Sequence, residues 1–114
     1  MYGLSVRWSL TDAAPDVAQR LRDYVCGTSI DRFTGRPGLR MKTWRMVPRE
    51  WFEGTYVFAT LEDRDAFVDD FRPAAAESPG SLIIGSPPVS FETFEVVAIA
   101  EGGAGFLAGP GPGA

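Results

Sequence analysis

Residues 39–60 read LRMKTWRMVPREWFEGTYVFAT. Leu39 to Val47 reads as one strand and Thr55 to Thr60 as the next. The polar-aromatic loop Pro48-Arg49-Glu50-Trp51-Phe52-Glu53-Gly54 separates them. Thr60 then suits a helix N-cap, with Glu62 and Asp63 placed to meet the exposed N–H groups of a first turn. Ala66, Phe67, Phe71 and Ala74 form the apolar stripe of that helix, and Pro73 is expected to end or kink it, because proline removes a donor and clashes with the preceding turn.

Upstream, Tyr2, Leu4, Val6, Trp8 and Leu10 alternate with Gly3, Ser5, Arg7 and Ser9, the period of a strand with one apolar face. A first helix is expected to begin between Asp12 and Pro15, to carry Val17, Leu21, Tyr24 and Val25 on one stripe, and to end at Cys26-Gly27. Thr28 to Gly38 then reads as a loop closed by a Pro37-Gly38 turn. Downstream, Gly85-Ser86-Pro87-Pro88 leads into a fourth strand over Val89 to Ala100. The order β-α-β-β-α-β is that of the ferredoxin-like α+β fold: a four-stranded antiparallel sheet with two helices on one face. The domain is expected over residues 1–101, followed by a Gly/Pro-rich tail over 102–114 with too little apolar surface to offset the entropy of ordering. Aromatic residues fall on both faces of the strands, so the face without helices would be an exposed apolar patch in a lone subunit. The expected solution is a homodimer in which two sheets face one another around a cavity.

Composition excludes more than it implies. The 114 residues carry a net charge of −4, which argues against a nucleic-acid partner. There is no histidine, which removes the Ser-His-Asp and Cys-His arrangements, a histidine base, a proximal haem ligand and nearly every ordinary zinc site. Cys26 is the single cysteine; it can form no internal disulfide, and at a helix end with no histidine base it is not expected to be a nucleophile. Glu62, Asp63, Asp65, Asp69 and Asp70 read as a solvated helix face, not a metal site, and Gly102-Gly103-Ala104-Gly105 precedes no helix pattern, so it is no dinucleotide fingerprint. No apolar run reaches the length of a membrane span, and the N-terminus lacks a signal-peptide pattern; the expectation is a cytoplasmic protein with no membrane partner.

Gly38-Leu39-Arg40-Met41-Lys42-Thr43-Trp44 resembles the Gly-apolar-x-x-Lys-x-Trp strand of the bacterial YdhR-like monooxygenases. Gly54-Thr55-Tyr56-Val57-Phe58, followed by Leu61-Glu62-Asp63, is similar to their Gly-x-Tyr-apolar-Phe strand and acidic helix start, and Phe94-Glu95-Val96 to their last strand. The resemblance covers roughly Tyr2 to Glu101, while Pro73 and the tail depart from the pattern. It implies the dimeric α+β barrel of the antibiotic-biosynthesis monooxygenases, some of which oxidise aromatic polyketide-like substrates with O2 and without haem, flavin or metal; no cofactor is therefore expected.

The resemblance places Tyr56 and Phe58 on the cavity face. Strand parity puts Lys42 and Trp44 on one face with Arg40 and Met46, and sets Arg7 opposite the apolar face of the first strand. The candidate catalytic residues are Tyr56, Lys42 and Arg7; the candidate substrate contacts are Trp44, Phe58, Trp51 and Phe52, the last two at the cavity rim. An electron-rich phenol or enol would supply the electrons, Arg7 or Lys42 would stabilise its anion, Tyr56 would donate a hydrogen bond or relay a proton, and Trp44 and Phe58 would stack on a planar ring. A purely structural reading stands beside this one: the rings as core, Lys42 extended over apolar surface, and Arg7 paired with Glu92 or Glu95. Three functions stay open: an O2-dependent monooxygenase, a cyclase or isomerase on a similar substrate, and a non-catalytic small-molecule-binding dimer.

Overall fold

The computed structural model describes residues 1–111. Four strands, β1 (Tyr2–Ser9), β2 (Leu39–Val47), β3 (Trp51–Phe58) and β4 (Ser90–Glu95), form one antiparallel sheet in the order β2-β3-β1-β4. The helices are α1 (Val17–Tyr24), α2 (Ile30–Phe33), α3 (Leu61–Ala74) and α4 (Pro79–Ile84), and the architecture is the expected ferredoxin-like α+β fold. Register sets the faces. Leu4 stands opposite Tyr56, Val6 opposite Gly54 and Trp8 opposite Phe52, and these positions point toward the helices. With Leu10, Val17, Leu21, Phe33, Phe58, Phe67 and Ile84, they make the core between sheet and helices.

Two local expectations fail, each for a physical reason. Cys26-Gly27 does not end the first helix. The chain widens into a π-turn over Val25–Ser29 and continues as α2, because Phe33 is drawn down onto Trp44, Tyr56 and Phe67 at ring-centroid distances of 5.9, 5.7 and 6.4 Å. The helix also starts at Val17, after a turn, not between Asp12 and Pro15. Second, the β2–β3 loop is not seven residues long: it closes over 48–50, with Arg49 in the left-handed region at φ 70° and the Glu50 N–H donating to the Val47 carbonyl at 3.0 Å. Trp51, Phe52, Glu53 and Gly54 are thus strand residues.

Pro73 marks the end of α3 as expected, the helix stopping one residue later at Ala74. Without an N–H at Pro73 the Asp69 carbonyl lacks its helical donor, and the chain tightens into a 3₁₀ turn over Ala75–Glu77. The start of α3 is as expected, with Thr60 Oγ1 accepting from the Asp63 N–H at 3.1 Å. An unforeseen helix, α4, follows, capped by Ser78 with Pro79 in its first turn. The Trp8 indole N–H donates to Ser81 Oγ at 3.0 Å, and that hydroxyl donates to the Ala75 carbonyl at 2.6 Å, tying α4 to the sheet.

β4 is shorter than expected, ending at Glu95. From 96 through 111 the chain carries no helix or strand, and Val97, Phe106 and Leu107 are exposed; residues 112–114, the end of the expected tail, lie outside the described residues. Among the described residues no helix is long and apolar enough to cross a membrane.

Candidate functional site

The alternation of β2 turns Lys42 and Trp44 toward the helices, opposite Tyr56 and Gly54 of β3. The helical continuation through α2 brings Phe33 over the same spot. Lys42 Nζ consequently sits among three rings, 3.6 Å from the Phe33 centroid, 4.3 Å from Tyr56 and 4.5 Å from Trp44. It makes no hydrogen bond or ion pair among the described residues, and the same holds for Tyr56 Oη. Neither atom is sealed away unsatisfied; both are reached from a cavity of about 370 Å³ between sheet and helices. That volume falls in the range of ligand pockets, about 300–1,000 Å³.

Gly54 opens the floor of this cavity. A Cβ there would lie 3.3 Å from Lys42 Cε and 3.6 Å from Tyr56 Oη, so the arm of the amine and the phenol meet over the side chain that glycine lacks. Arg32 and Arg36 stand at the cavity wall. Arg32 donates to Tyr24 Oη at 3.1 Å, and the Arg36 guanidinium lies 5.0 Å from the Phe67 centroid.

These surroundings set the protonation states. Burial, then the charges of Arg32 and Arg36, push the Lys42 ammonium down from 10.5 to about 6, so the amine is largely neutral at pH 7. Burial raises the Tyr56 phenol above its ordinary value against the opposing charges of Arg32 and Arg36, and it stays protonated. A neutral amine and an intact phenol therefore face one cavity, walled by rings around the amine: a base and a hydrogen-bond donor side by side.

Of the residues expected at the site, Lys42, Tyr56 and Trp44 come together and Phe52 contributes to the wall. Phe58 shares their face but packs behind Tyr56, with ring planes 9° apart and centroids at 6.2 Å, and is buried in the core. Arg7 and Trp51 lie across the sheet on the face without helices. There Arg7 Nε donates to Glu53 Oε2 at 2.8 Å, pairing with neither Glu92 nor Glu95, and its guanidinium covers the Trp51 ring at 4.0 Å. The cavity that holds Lys42 and Tyr56 lies within one chain, between sheet and helices, because Trp44, Phe52, Tyr56 and Phe58 share the parity of the helix-covered core.

Sequence reading missed Phe33, Arg32, Arg36 and Gly54. One signal was available: Lys42 is the only lysine among eleven basic residues, so ten exposed or paired cations are arginine and the single side-chain amine stands in a strand.

A broader groove of about 1160 Å³ runs along β2 from Leu21 to Phe106 and shares Lys42 and Trp44 with the smaller cavity. The smaller one holds the unpartnered phenol and amine together and is the better candidate. Among the described residues no three His, Cys, Asp or Glu side chains converge as metal ligands would.

Neither protein-family models nor curated proteins match the chain. Solved structures do. A protein of unknown function from Nitrosomonas europaea, NE2512, is similar at 21% identity and TM-score 0.65, over 87% of this chain and 91% of that one. A Streptomyces coelicolor monooxygenase from the gene ActVA-Orf6, in complex with the ligand nanaomycin D, is similar at 17% identity and TM-score 0.58, over 88% and 92%. At these identities the likeness establishes the fold, and one fold hosts many functions.

Proposed function

We propose that the protein is a cofactor-independent monooxygenase that oxidises a small, planar phenolic or polyketide-like aromatic with O2, in a YdhR-like member of the antibiotic-biosynthesis-monooxygenase group. The observation that carries this reading is the neutral Lys42 amine beside the protonated Tyr56 phenol in an aromatic cavity. The strand motifs and the fold shared with a monooxygenase support it.

Lys42 takes the substrate phenol proton, and the ammonium so formed remains beside the phenolate, where low polarity strengthens their attraction. Tyr56 donates a hydrogen bond to the same oxygen, while Trp44 and Phe33 pack on the ring. The electron-rich ring reduces O2; one oxygen atom forms a new C–O bond and the other leaves as water, so that phenol plus O2 becomes quinone plus water. Arg32 and Arg36 favour the anion from the cavity wall. Arg7, bound to Glu53 on the far face, has no part in this step.

The subunit is proposed to work as a homodimer through its helix-free sheet face, where Trp51, Met41, Val57 and Phe94 lie uncovered by helices. The test is oxygen uptake with naphthols and naphthalenediols. Uptake coupled to quinone formation, reduced at least ~100-fold in Lys42→Met and ~10-fold in Tyr56→Phe, is expected. Oxidation at the wild-type rate in both variants, or none with any planar phenol, overturns the reading. Isomerised product without oxygen uptake would assign the same base to cyclase or isomerase chemistry.

A further inference from the structure

The same cavity has features that proton transfer does not use. Lys42 Nζ has no acceptor and no counter-ion among the described residues, yet it is walled by three rings within 4.5 Å and open to the cavity. The rings give the nitrogen an aromatic surround, with which an incoming aromatic group can pack. Arg32 and Arg36 add two cations at the wall, and neither forms an ion pair among the described residues. They disfavour an ammonium and favour an incoming anion. A desolvated lysine beside other cations is the arrangement that makes an amine a nucleophile.

We propose that Lys42 Nζ condenses with a planar aromatic aldehyde bearing an acidic substituent, forming an imine within the cavity. The amine lone pair makes the C–N bond and the carbonyl π pair moves to oxygen. The carbinolamine then expels that oxygen as water, which carries off both amine protons, so no oxidant or reductant is consumed. Tyr56 is placed to donate to the carbonyl oxygen, since its hydroxyl and Lys42 Cε border the same gap over Gly54, at 3.6 and 3.3 Å from the absent Cβ. The acidic substituent lies toward Arg32 and Arg36. The titratable and charged groups that line the cavity with the amine are Tyr24 of α1, Arg32 of α2, Arg36 beyond it, Tyr56 of β3, Asp70 of α3 and Glu77 of the 3₁₀ turn.

This chemistry uses the amine of the proposed oxygenase but no oxygen, so the two readings succeed or fail in separate measurements. The chain is uniquely suited to the experiment because it contains one lysine, leaving the N-terminus as the sole competing amine. Intact protein is incubated anaerobically at pH 7 with 4-carboxybenzaldehyde or benzaldehyde and cyanoborohydride, and the adduct is located by peptide mass. Expected are one adduct on Lys42, formed at least ~10-fold faster than on Nα-acetyl-lysine, and a several-fold preference for the carboxylated aldehyde. Arg32→Gln with Arg36→Gln should remove that preference, Tyr56→Phe should slow labelling, and guanidinium denaturation should abolish the rate advantage. Labelling of Lys42 no faster than of Nα-acetyl-lysine, as for an ammonium merely caged by rings, overturns the proposal. So does an adduct confined to the N-terminus of folded wild-type protein.

Discussion

The two faces of the sheet carry the same kinds of residue and put them to opposite uses. On the helix-free face, Arg7, Glu53 and Arg45 stand in one row across β1, β3 and β2. Glu53 is buried yet fully partnered: Arg7 Nε donates at 2.8 Å, Arg45 Nε at 2.8 Å and Thr55 Oγ1 at 3.0 Å. Burial pushes its carboxyl up, but the hydrogen bonds from Arg45, Arg7 and Thr55 outweigh it and the net movement is downward. Trp51 lies beneath both guanidiniums, at 4.0 and 5.2 Å. On the helix-covered face, Lys42 has aromatic neighbours and cations but no partner. One face holds a closed charge network and the other an open valence; satisfied polar groups stabilise, and an unsatisfied one is available for chemistry.

The largest effect that would break this contrast is on Lys42. Lys42→Met should eliminate turnover and aldehyde capture while stabilising the fold by about 2 kcal/mol or more at pH 7, since the folded chain no longer has to strip the proton from a buried, unpartnered amine and an apolar chain of similar length takes its place. The sign follows from the proton balance. The amine has a folded pKa of about 6 against 10.5 unfolded, so the unfolded chain binds more protons between those values. Wild-type stability should therefore climb with pH across that window, and the variant should lose the climb; thermal melts at pH 6, 7, 8 and 9 measure it.

Glu53→Gln should move stability the other way, by about 1–3 kcal/mol, because two guanidiniums lose their shared carboxylate; the half-exposed partners keep the figure at the modest end. In wild type this contribution is present above the ordinary carboxyl value of 4.5 and is lost as pH falls through the depressed folded value. Catalysis should survive the substitution, measured at pH 7, since the clamp is across the sheet from the cavity. If Glu53→Gln abolished turnover while remaining folded, the division of labour between faces would be wrong.

A subtler change sharpens the comparison. Gly54→Ala fills the gap over the cavity floor with a Cβ 3.3 Å from Lys42 Cε. It should raise KM about 10-fold for flat substrates while changing stability by under ~1 kcal/mol, as expected when a neighbouring flexible arm gives way. Smallest is Trp51→Ala, which should leave kcat unchanged and weaken self-association in sedimentation, if the helix-free face is the dimer surface.

The order of the four strands, the parity of β1 and the start of α3 were legible in the chain, because a period of two and a capped helix start at Thr60 are local signals. Not legible were α2, α4 and the register shift that turns Leu39, not Arg40, to the core face of β2. Parity likewise put Lys42 and Trp44 on one face, while Tyr56 was placed at the site by resemblance alone. Gly54 was misread as the end of a loop, since glycine in sequence does not distinguish a turn from a strand position where side chains crowd. Gly3 makes the same point: a Cβ there would meet the Phe94 ring at 1.9 Å, a cross-strand demand that no neighbouring residue announces.

Alternation and capping, written residue by residue, determined an antiparallel α+β sheet and the faces of its side chains. Which face became the site was a tertiary decision. Phe33, Arg32 and Arg36 reach Lys42 only because the helix runs on past Gly27 through a π-turn, and that path is chosen by the burial of Phe33 against residues far away in the chain. Whether a cation is clamped or left bare depends on what packs over it, and packing is a sum over long-range contacts that local propensity does not contain.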